Sequence, residues 1–315
     1  MEQLTFDASL RTELAPCAVD FPKTSFFRFQ GRSPNKPALP TTAEVRARAG
    51  CDDGGYVAFP DLKLFVKFGR SHNVSLEEAQ MLQAVRRAFP NNQIPVPELV
   101  AWRAEDEINY IYMSLIPGTT LESCWPELTL EEKTRISDQL GRMVSSLRSI
   151  HKAPGTEYVG IWPISLAQAL HQLIDRRLPR SRTRESNVFP RPNDRPSSKF
   201  CNISRRSSIL GFALETHGGK AARPISTPSS GIYFSHGDLH LHNIMVAGTP
   251  GSRRVSGLVD WGFAGWFPEY WEYYNMVFGT HDHEWYTQGW INRVLTSYDG
   301  ECEALDNYWS WRGPA

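Results

Sequence analysis

The strongest constraint on this chain is a pair of short segments that carry two carboxylates and an amide, at Asp238, Asn243 and Asp260. Residues 234–243 are Phe-Ser-His-Gly-Asp-Leu-His-Leu-His-Asn, and residues 257–265 are Gly-Leu-Val-Asp-Trp-Gly-Phe-Ala-Gly. Phosphoryl transfer needs a nucleophile held in line and metal ions that bridge the phosphates. Asp238 is suited to orient a hydroxyl and accept its proton, while Asn243 and Asp260 supply the oxygen ligands that magnesium prefers. The spacing therefore predicts a phosphoryl-transfer site.

These two segments resemble the catalytic and metal loops of the aminoglycoside phosphotransferase and choline kinase-like family. Their sequences are close to those of its fungal-type members. The resemblance continues upstream in four stretches, which are Leu-Phe-Val-Lys-Phe-Gly at 64–69, Ser-Leu-Glu-Glu-Ala-Gln-Met-Leu at 75–82, Ile-Pro-Val-Pro at 94–97 and Leu-Ile-Pro-Gly at 115–118. It covers roughly residues 55–153 and 232–300 and skips the residues between them.

The resemblance implies an α+β, protein kinase-like fold of two lobes with ATP between them. A small β-rich N-terminal lobe would comprise residues 1–116, and a larger, mainly helical C-terminal lobe residues 117–315. A hinge is expected near residues 113–118, where Met113 and Leu115 would contact the nucleotide.

The resemblance also implies a role for each site residue. Lys67 would position the phosphates of ATP and pair with Glu78. Asn243 and Asp260 would hold Mg²⁺, and Asp238 would be the catalytic base that aligns a hydroxyl of a small molecule. The expected enzyme is an ATP-dependent small-molecule kinase with an alcohol group as acceptor.

The secondary-structure signals agree with this plan. A β-branched and aromatic run predicts a strand over 62–67, and residues 109–113 predict another. Ser75 and Glu78 have the spacing of a capping box that begins a helix over 75–89. Thr129 opens a second helix with an apolar stripe that extends to Ile150.

Simpler structural roles compete with several of these assignments. Glu78 could serve only the capping box, and Asn243 only a turn. Glu269 and Glu272 are interpreted as first-turn acids of a helix that follows Pro268, favoured by the helix dipole. The glycines in 50–55 can form a tight turn against phosphate, but they lack the spacing of a nucleotide-binding fingerprint.

Two other functions remain open. His236, His240 and His242, with Asp238 and a downstream pair at His281 and His283, could form a transition-metal site of a hydrolase. The weak glycine loop also leaves open a kinase-like protein that binds nucleotide with impaired catalysis.

Composition excludes several classes of protein. Lys+Arg and Asp+Glu both number 34, so the formal charge is zero and no nucleic-acid partner is expected. The five cysteines are scattered and odd in number, which disfavours a disulfide framework and points to a reducing, cytoplasmic setting. Neither a signal peptide nor a membrane span is expected from the sequence. The sequence does not specify an oligomeric state.

A long polar stretch separates the two halves of the resemblance. Residues 179–228 are rich in Arg, Ser, Pro and Asn and contain few apolar residues. Because such a composition buries too little surface to offset the entropy of ordering, we expect a flexible insert within the C-terminal lobe.

Overall fold

The computed structural model describes residues 5–6, 18–30, 38–152, 160–161, 231–280 and 284–312. Within these ranges the β-strands are β1 (Thr5–Phe6), β2 (Ala18–Asp20), β3 (Gly54–Phe59), β4 (Leu64–Arg70), β5 (Leu99–Glu105), β6 (Ile108–Ser114), β7 (Thr119–Thr120), β8 (His151–Lys152), β9 (Gly160–Ile161), β10 (Ile232–Ser235), β11 (Ile244–Ala247), β12 (Arg254–Leu258) and β13 (Gly265–Pro268). The α-helices are α1 (Ser25–Gln30), α2 (Thr42–Ala49), α3 (Leu76–Ala88), α4 (Leu121–Cys124), α5 (Leu130–Arg148), α6 (Trp271–Thr280), α7 (Glu284–Thr287) and α8 (Asp299–Arg312). Short 3-10 turns lie at Pro60–Leu62, Trp125–Glu127, Leu241–Asn243, Trp261–Phe263 and Trp290–Arg293.

The N-terminal lobe is a five-stranded antiparallel sheet with a helix on each face. Its strand order is β2-β5-β6-β4-β3. Successive side chains of a strand point to opposite faces, so each strand contributes to two cores. One face buries residues such as Val66 and Tyr112 together with Val45 of α2. The other face packs Ile111 and Met113 into the core that contains α3 and extends through the C-terminal lobe.

The elements predicted from sequence signals are present with small shifts at their ends. Helix α3 begins after the N-cap Ser75, and α5 begins after Thr129, whose capping box with Glu132 has both hydrogen bonds. Strand β4 starts two residues later than predicted. The reason is a 3-10 turn at Pro60–Leu62 that ends in Lys63 at φ +50°.

The C-terminal lobe combines the long helix α5 with two small antiparallel sheets. Their strand orders are β10-β13-β9 and β12-β11-β7. The predicted helix after Pro268 starts at Trp271, and the aromatic segment before it forms β13. Large rings fill this core, among them the fully buried Trp261, Trp266 and Trp285.

The connection between the lobes is a short extended segment after β6. Its last residues form β7, which pairs with β11 of the C-terminal lobe. Gly118 has φ +108°, and a Cβ there would lie 2.0 Å from the carbonyl oxygen of Val246. Only glycine allows the chain to pass this close to β11.

These features confirm the predicted fold class, an α+β kinase-like arrangement of a small β-rich lobe and a larger, mainly helical lobe. The boundary between residues 116 and 117 stays a prediction, and the insert expected over 179–228 lies outside the described residues. None of the helices in the described ranges has both the length and the apolar character needed to cross a lipid bilayer.

Candidate active site

Lys67 of β4 forms the centre of a charged group between the two lobes. Its ammonium donates to both carboxylate oxygens of Glu78 at 2.9 Å and to Oδ1 of Asp260 at 2.8 Å. The side chain of Glu78 is only 2 % exposed, so its charge depends on nearby cations and donors. The predicted Lys67–Glu78 ion pair is therefore present, and Asp260 of the C-terminal lobe joins it.

Glu78 also has the capping position that its sequence context indicated. Its backbone N–H donates to Oγ of Ser75 at 3.3 Å, while its carboxylate accepts from Lys67. The two interpretations of Glu78 therefore divide: its backbone N–H serves the helix start, whereas its carboxylate, which a capping box would direct at the N–H of Ser75, lies against Lys67.

Asp238 has a donor on each carboxylate oxygen. Nε2 of His240 lies 3.0 Å from Oδ1, and Nδ2 of Asn243 donates to Oδ2 at 3.0 Å. Nδ2 of Asn243 also donates to the backbone oxygen of Asp238 at 2.8 Å. These bonds fix the orientation of the carboxylate.

His236 connects the loop of Asp238 with the strand that leads to Asp260. Complete burial lowers the pKa of His236, and the nearby carboxylates of Glu272, Asp238 and Asp260 oppose that shift only in part. The ring is therefore neutral. In that state Nε2 donates to the carbonyl oxygen of Val259 at 3.0 Å, and Nδ1 accepts the N–H of Asp238 at 3.3 Å.

Glu272 is a site residue whose role sequence reasoning missed. It lies in the first turn of α6 as predicted, but its carboxylate is buried at 2 % exposure and faces the loop of Asp238. Its oxygens accept the N–H of Gly237 at 3.2 Å and that of Leu239 at 3.3 Å. The signal for this role in the sequence was that Glu272 lies within a segment of aromatic residues. An acid in such a segment is buried with them, and a buried carboxylate needs hydrogen-bond donors. Glu269 precedes the helix, and its carboxylate lies 3.9 Å from Arg148.

Gly237 is required by the backbone of the same loop. Its φ is +78°, and a Cβ would lie 2.2 Å from the carbonyl oxygen of Phe263. The loop of Asp238 therefore touches the turn that follows Asp260 through bare backbone.

The donor set around Asn243 and Asp260 fits magnesium. Because Nδ2 of Asn243 is directed at Asp238, the amide oxygen is the atom that remains for a cation. Asp260 has the left-handed backbone angle φ +61°, and its carboxylate is 31 % exposed beside Lys67. The N–H of Val259 donates to the carbonyl oxygen of Asn243 at 2.9 Å, which joins the two segments. One carboxylate and one amide suit Mg²⁺, which completes its shell with phosphate and water.

The nucleotide contacts expected at the hinge, from Met113 and Leu115, stay predictions. Met113 lies on the sheet face that also carries Lys67. The N–H of Leu115 donates to the carbonyl oxygen of Lys63 at 2.8 Å. The backbone atom of Leu115 that remains for a nucleotide contact is therefore its carbonyl oxygen. Of the glycines in 50–55, Gly50 ends α2 at φ +65° and Gly54 opens β3.

The alternative transition-metal site is not formed by the described residues. His236 has both ring nitrogens in hydrogen bonds with backbone, and His240 faces Asp238. No group of three or more His, Cys, Asp or Glu is arranged to hold a metal ion in the part of the chain that the structure describes. His281 and His283 lie outside that part.

Comparison with known proteins gives one family and several distant structures. The profile of the family described as "Phosphotransferase enzyme family" (APH) matches residues 56–311. No curated protein matches the sequence. The aminoglycoside-3'-phosphotransferase of type VIII is 15 % identical over 85 % of this chain and 91 % of that chain, with a TM-score of 0.43. An aminoglycoside phosphotransferase of Streptomyces rimosus in complex with ADP and streptomycin is 14 % identical over 84 % and 96 %, with a TM-score of 0.46.

Proposed function

Because the chain belongs to the phosphotransferase enzyme family, we propose that it transfers the γ-phosphate of ATP to a hydroxyl group of a small molecule. The observation that carries this proposal is the position of Asp238, whose two carboxylate oxygens are held by His240 and Asn243. A carboxylate fixed in this way can receive a proton without first rearranging.

In the proposed reaction Asp238 orients the acceptor hydroxyl and accepts its proton. The acceptor oxygen attacks the γ-phosphorus, the bond from that phosphorus to the β–γ bridging oxygen breaks, and ADP leaves with the electron pair. The base gains one proton for each phosphoryl group transferred. The hydrogen bonds to Asp238 keep its carboxylate in place during the attack.

Lys67 is proposed to bind the phosphates of ATP, with Glu78 holding its ammonium in position. Asn243 and Asp260 are proposed to hold Mg²⁺, which would neutralise charge on the phosphate oxygens when bound. Met113 and the carbonyl oxygen of Leu115 are proposed to border the adenine at the hinge. The lobe boundary at 116 and 117 belongs to the same proposal.

A titration of nucleotide followed by an acceptor screen tests the proposal. Isothermal titration calorimetry should show that ATP binds with magnesium and binds more weakly when EDTA is present. Incubation with amino alcohols, sugars and aminoglycosides should then give a phosphorylated product by mass spectrometry with one added phosphate.

The outcomes separate the candidate functions. Binding of ATP without transfer to any acceptor or to water would favour a catalytically impaired nucleotide-binding protein. Absence of ATP binding would contradict the proposal altogether. The proposed setting is the cytoplasm, since five scattered cysteines do not suit an oxidising compartment.

A further inference from the structure

The sheet face that carries Lys67 also carries an exposed tyrosine. In the register between β3 and β4, Tyr56 lies directly opposite Lys67. Directly opposed residues of antiparallel strands project from the same face, with Cβ atoms about 5 Å apart. The neighbouring Val57 is buried in the core on the other face, beneath α2. Tyr56 therefore projects on the side where Lys67 meets Asp260.

Tyr56 forms an aromatic pair with Phe65 of the neighbouring strand β4. Its ring stacks on Phe65 with centroids 5.9 Å apart and planes inclined by 18°. Phe65 in turn lies opposite Met113 in the register of β4 and β6. Phe65 packs against the core, whereas Tyr56 is 75 % exposed. The outer ring of the pair thus has its second face and its hydroxyl in solvent.

The edge of the sheet next to Tyr56 has no further strand in the described ranges. The element before β3 is helix α2, which ends at Gly50 and packs through Val45 on the opposite face. Strand β3 is therefore the edge strand, and no backbone hairpin of this sheet extends past it in the described residues. Tyr56 is therefore the side chain that this edge strand places beside Lys67.

We infer that Tyr56 is a nucleotide-binding residue, whose hydroxyl donates to a phosphate oxygen of ATP and whose ring covers the ribose-phosphate part of the nucleotide. The inference rests on the proposed function, because it takes Lys67 to mark the place of the phosphates. A phenol hydroxyl is a good donor to an anionic oxygen, and such charge-assisted bonds are stronger than neutral ones. Unlike a lysine, it adds no charge beside Lys67.

A ligand series with hydroxyl and ring deletions tests this inference. Dissociation constants for adenosine, AMP, ADP and ATP are measured with magnesium by isothermal titration calorimetry for the wild-type chain, Tyr56→Phe and Tyr56→Ala. We expect Tyr56→Phe to weaken ATP binding roughly tenfold and to leave adenosine within about twofold. Tyr56→Ala should weaken ATP further. Tyr286→Phe removes a hydroxyl from another exposed tyrosine and should change neither ligand.

Each outcome decides the inference. An unchanged ATP dissociation constant in both Tyr56 variants, with normal binding by the wild-type chain, would overturn the inference alone. Equal losses for adenosine and ATP in Tyr56→Phe would also overturn the inference, since the hydroxyl would then not act through the phosphates. Failure of the wild-type chain to bind ATP would overturn the proposed function and this inference with it. Circular dichroism melting of each variant shows that a loss of affinity is not a loss of folding.

Discussion

The two sides of the candidate site are held by different means. The side that carries Asp238 is fixed by buried hydrogen bonds, in which His236, Asn243 and Glu272 each contact backbone of the neighbouring segments. The side that carries Lys67 is fixed by strand register and one ion-pair group, and it leaves Tyr56 in solvent. Under the proposed function, the reacting groups would be preorganised, whereas the nucleotide side would gain part of its order from the bound ligand.

The largest effect should come from Asp238, the centre of the preorganised side. Asp238→Asn keeps the shape of the side chain but removes the proton acceptor. We expect kcat to fall about 10²–10⁴-fold, while the dissociation constant of ATP with magnesium stays within about threefold. Steady-state kinetics and calorimetry measure the two quantities. Asp138→Asn, at an exposed carboxylate paired with Arg293, should leave both unchanged. Equal turnover in Asp238→Asn would remove the base assignment.

On the other side, Lys67 should matter for both stability and nucleotide affinity. Lys67→Met removes the ammonium from the buried Glu78, at a cost of about 3 kcal/mol, and should weaken ATP binding at least tenfold. Glu78→Gln leaves Lys67 paired with Asp260 and should cost only about 1 kcal/mol. Urea denaturation of the two variants measures this difference. Equal losses would show that burial of Glu78 does not decide the energetics of the group.

Glu272 tests whether buried hydrogen bonds preorganise the catalytic loop. Glu272→Gln retains one acceptor oxygen and replaces the other with an amide donor, which faces the N–H of Gly237 when the remaining oxygen accepts from Leu239. We expect kcat to fall roughly 10-fold to 100-fold with little change in ATP affinity. Hydrogen exchange should be faster at residues 236–243. Loss of stability without loss of kcat would assign Glu272 a structural role only.

Glu132 is the matched control for Glu272. It is equally buried, at 1 % exposure, and accepts the N–H groups of Gly251 and Arg253 in the turn between β11 and β12. Glu132→Gln should lower the melting temperature at neutral pH and leave kcat unchanged. A fall in kcat like that of Glu272→Gln would show that any buried carboxylate of the lobe affects catalysis.

The pH dependence of stability gives the smallest effect. Burial of Glu132 favours its neutral form, but backbone donors of Thr129, Arg253 and Gly251 outweigh burial and hold the pKa below its ordinary value. The unfolded chain therefore takes up the proton first as pH falls. The stabilisation is complete above the unfolded-state pKa and is lost as pH falls through the lower folded-state pKa. The gap in melting temperature between wild type and Glu132→Gln should narrow between about pH 6 and pH 3. A gap that widens would contradict this sign.

The sequence predicted what depends on nearby residues. Asp238 and Asn243 are five positions apart and share hydrogen bonds, and Lys67 and Glu78 belong to one strand–helix unit. Thr129 predicted the start of its helix, because its capping box involves only Glu132 in the next turn. In each case the local pattern and the tertiary structure require the same residue types.

The remaining features depend on contacts between distant segments. Glu272 meets donors more than thirty residues away, so its first-turn position was visible and its role was not. Tyr56 faces Lys67 only because the turn at Pro60–Leu62 sets the register of β3 and β4. The sequence does not show which face of the N-terminal sheet helix α2 covers, since both faces of the sheet are apolar.

The backbone contact at Gly237 also bears on attempts to evolve the protein. Every amino acid other than glycine would place its Cβ against the carbonyl oxygen of Phe263. The loop of Asp238 and the turn after Asp260 would then have to move apart. A library randomised around Asp238 and selected for new acceptors should therefore retain glycine at position 237. Randomised positions are better chosen among residues that do not contact both loops.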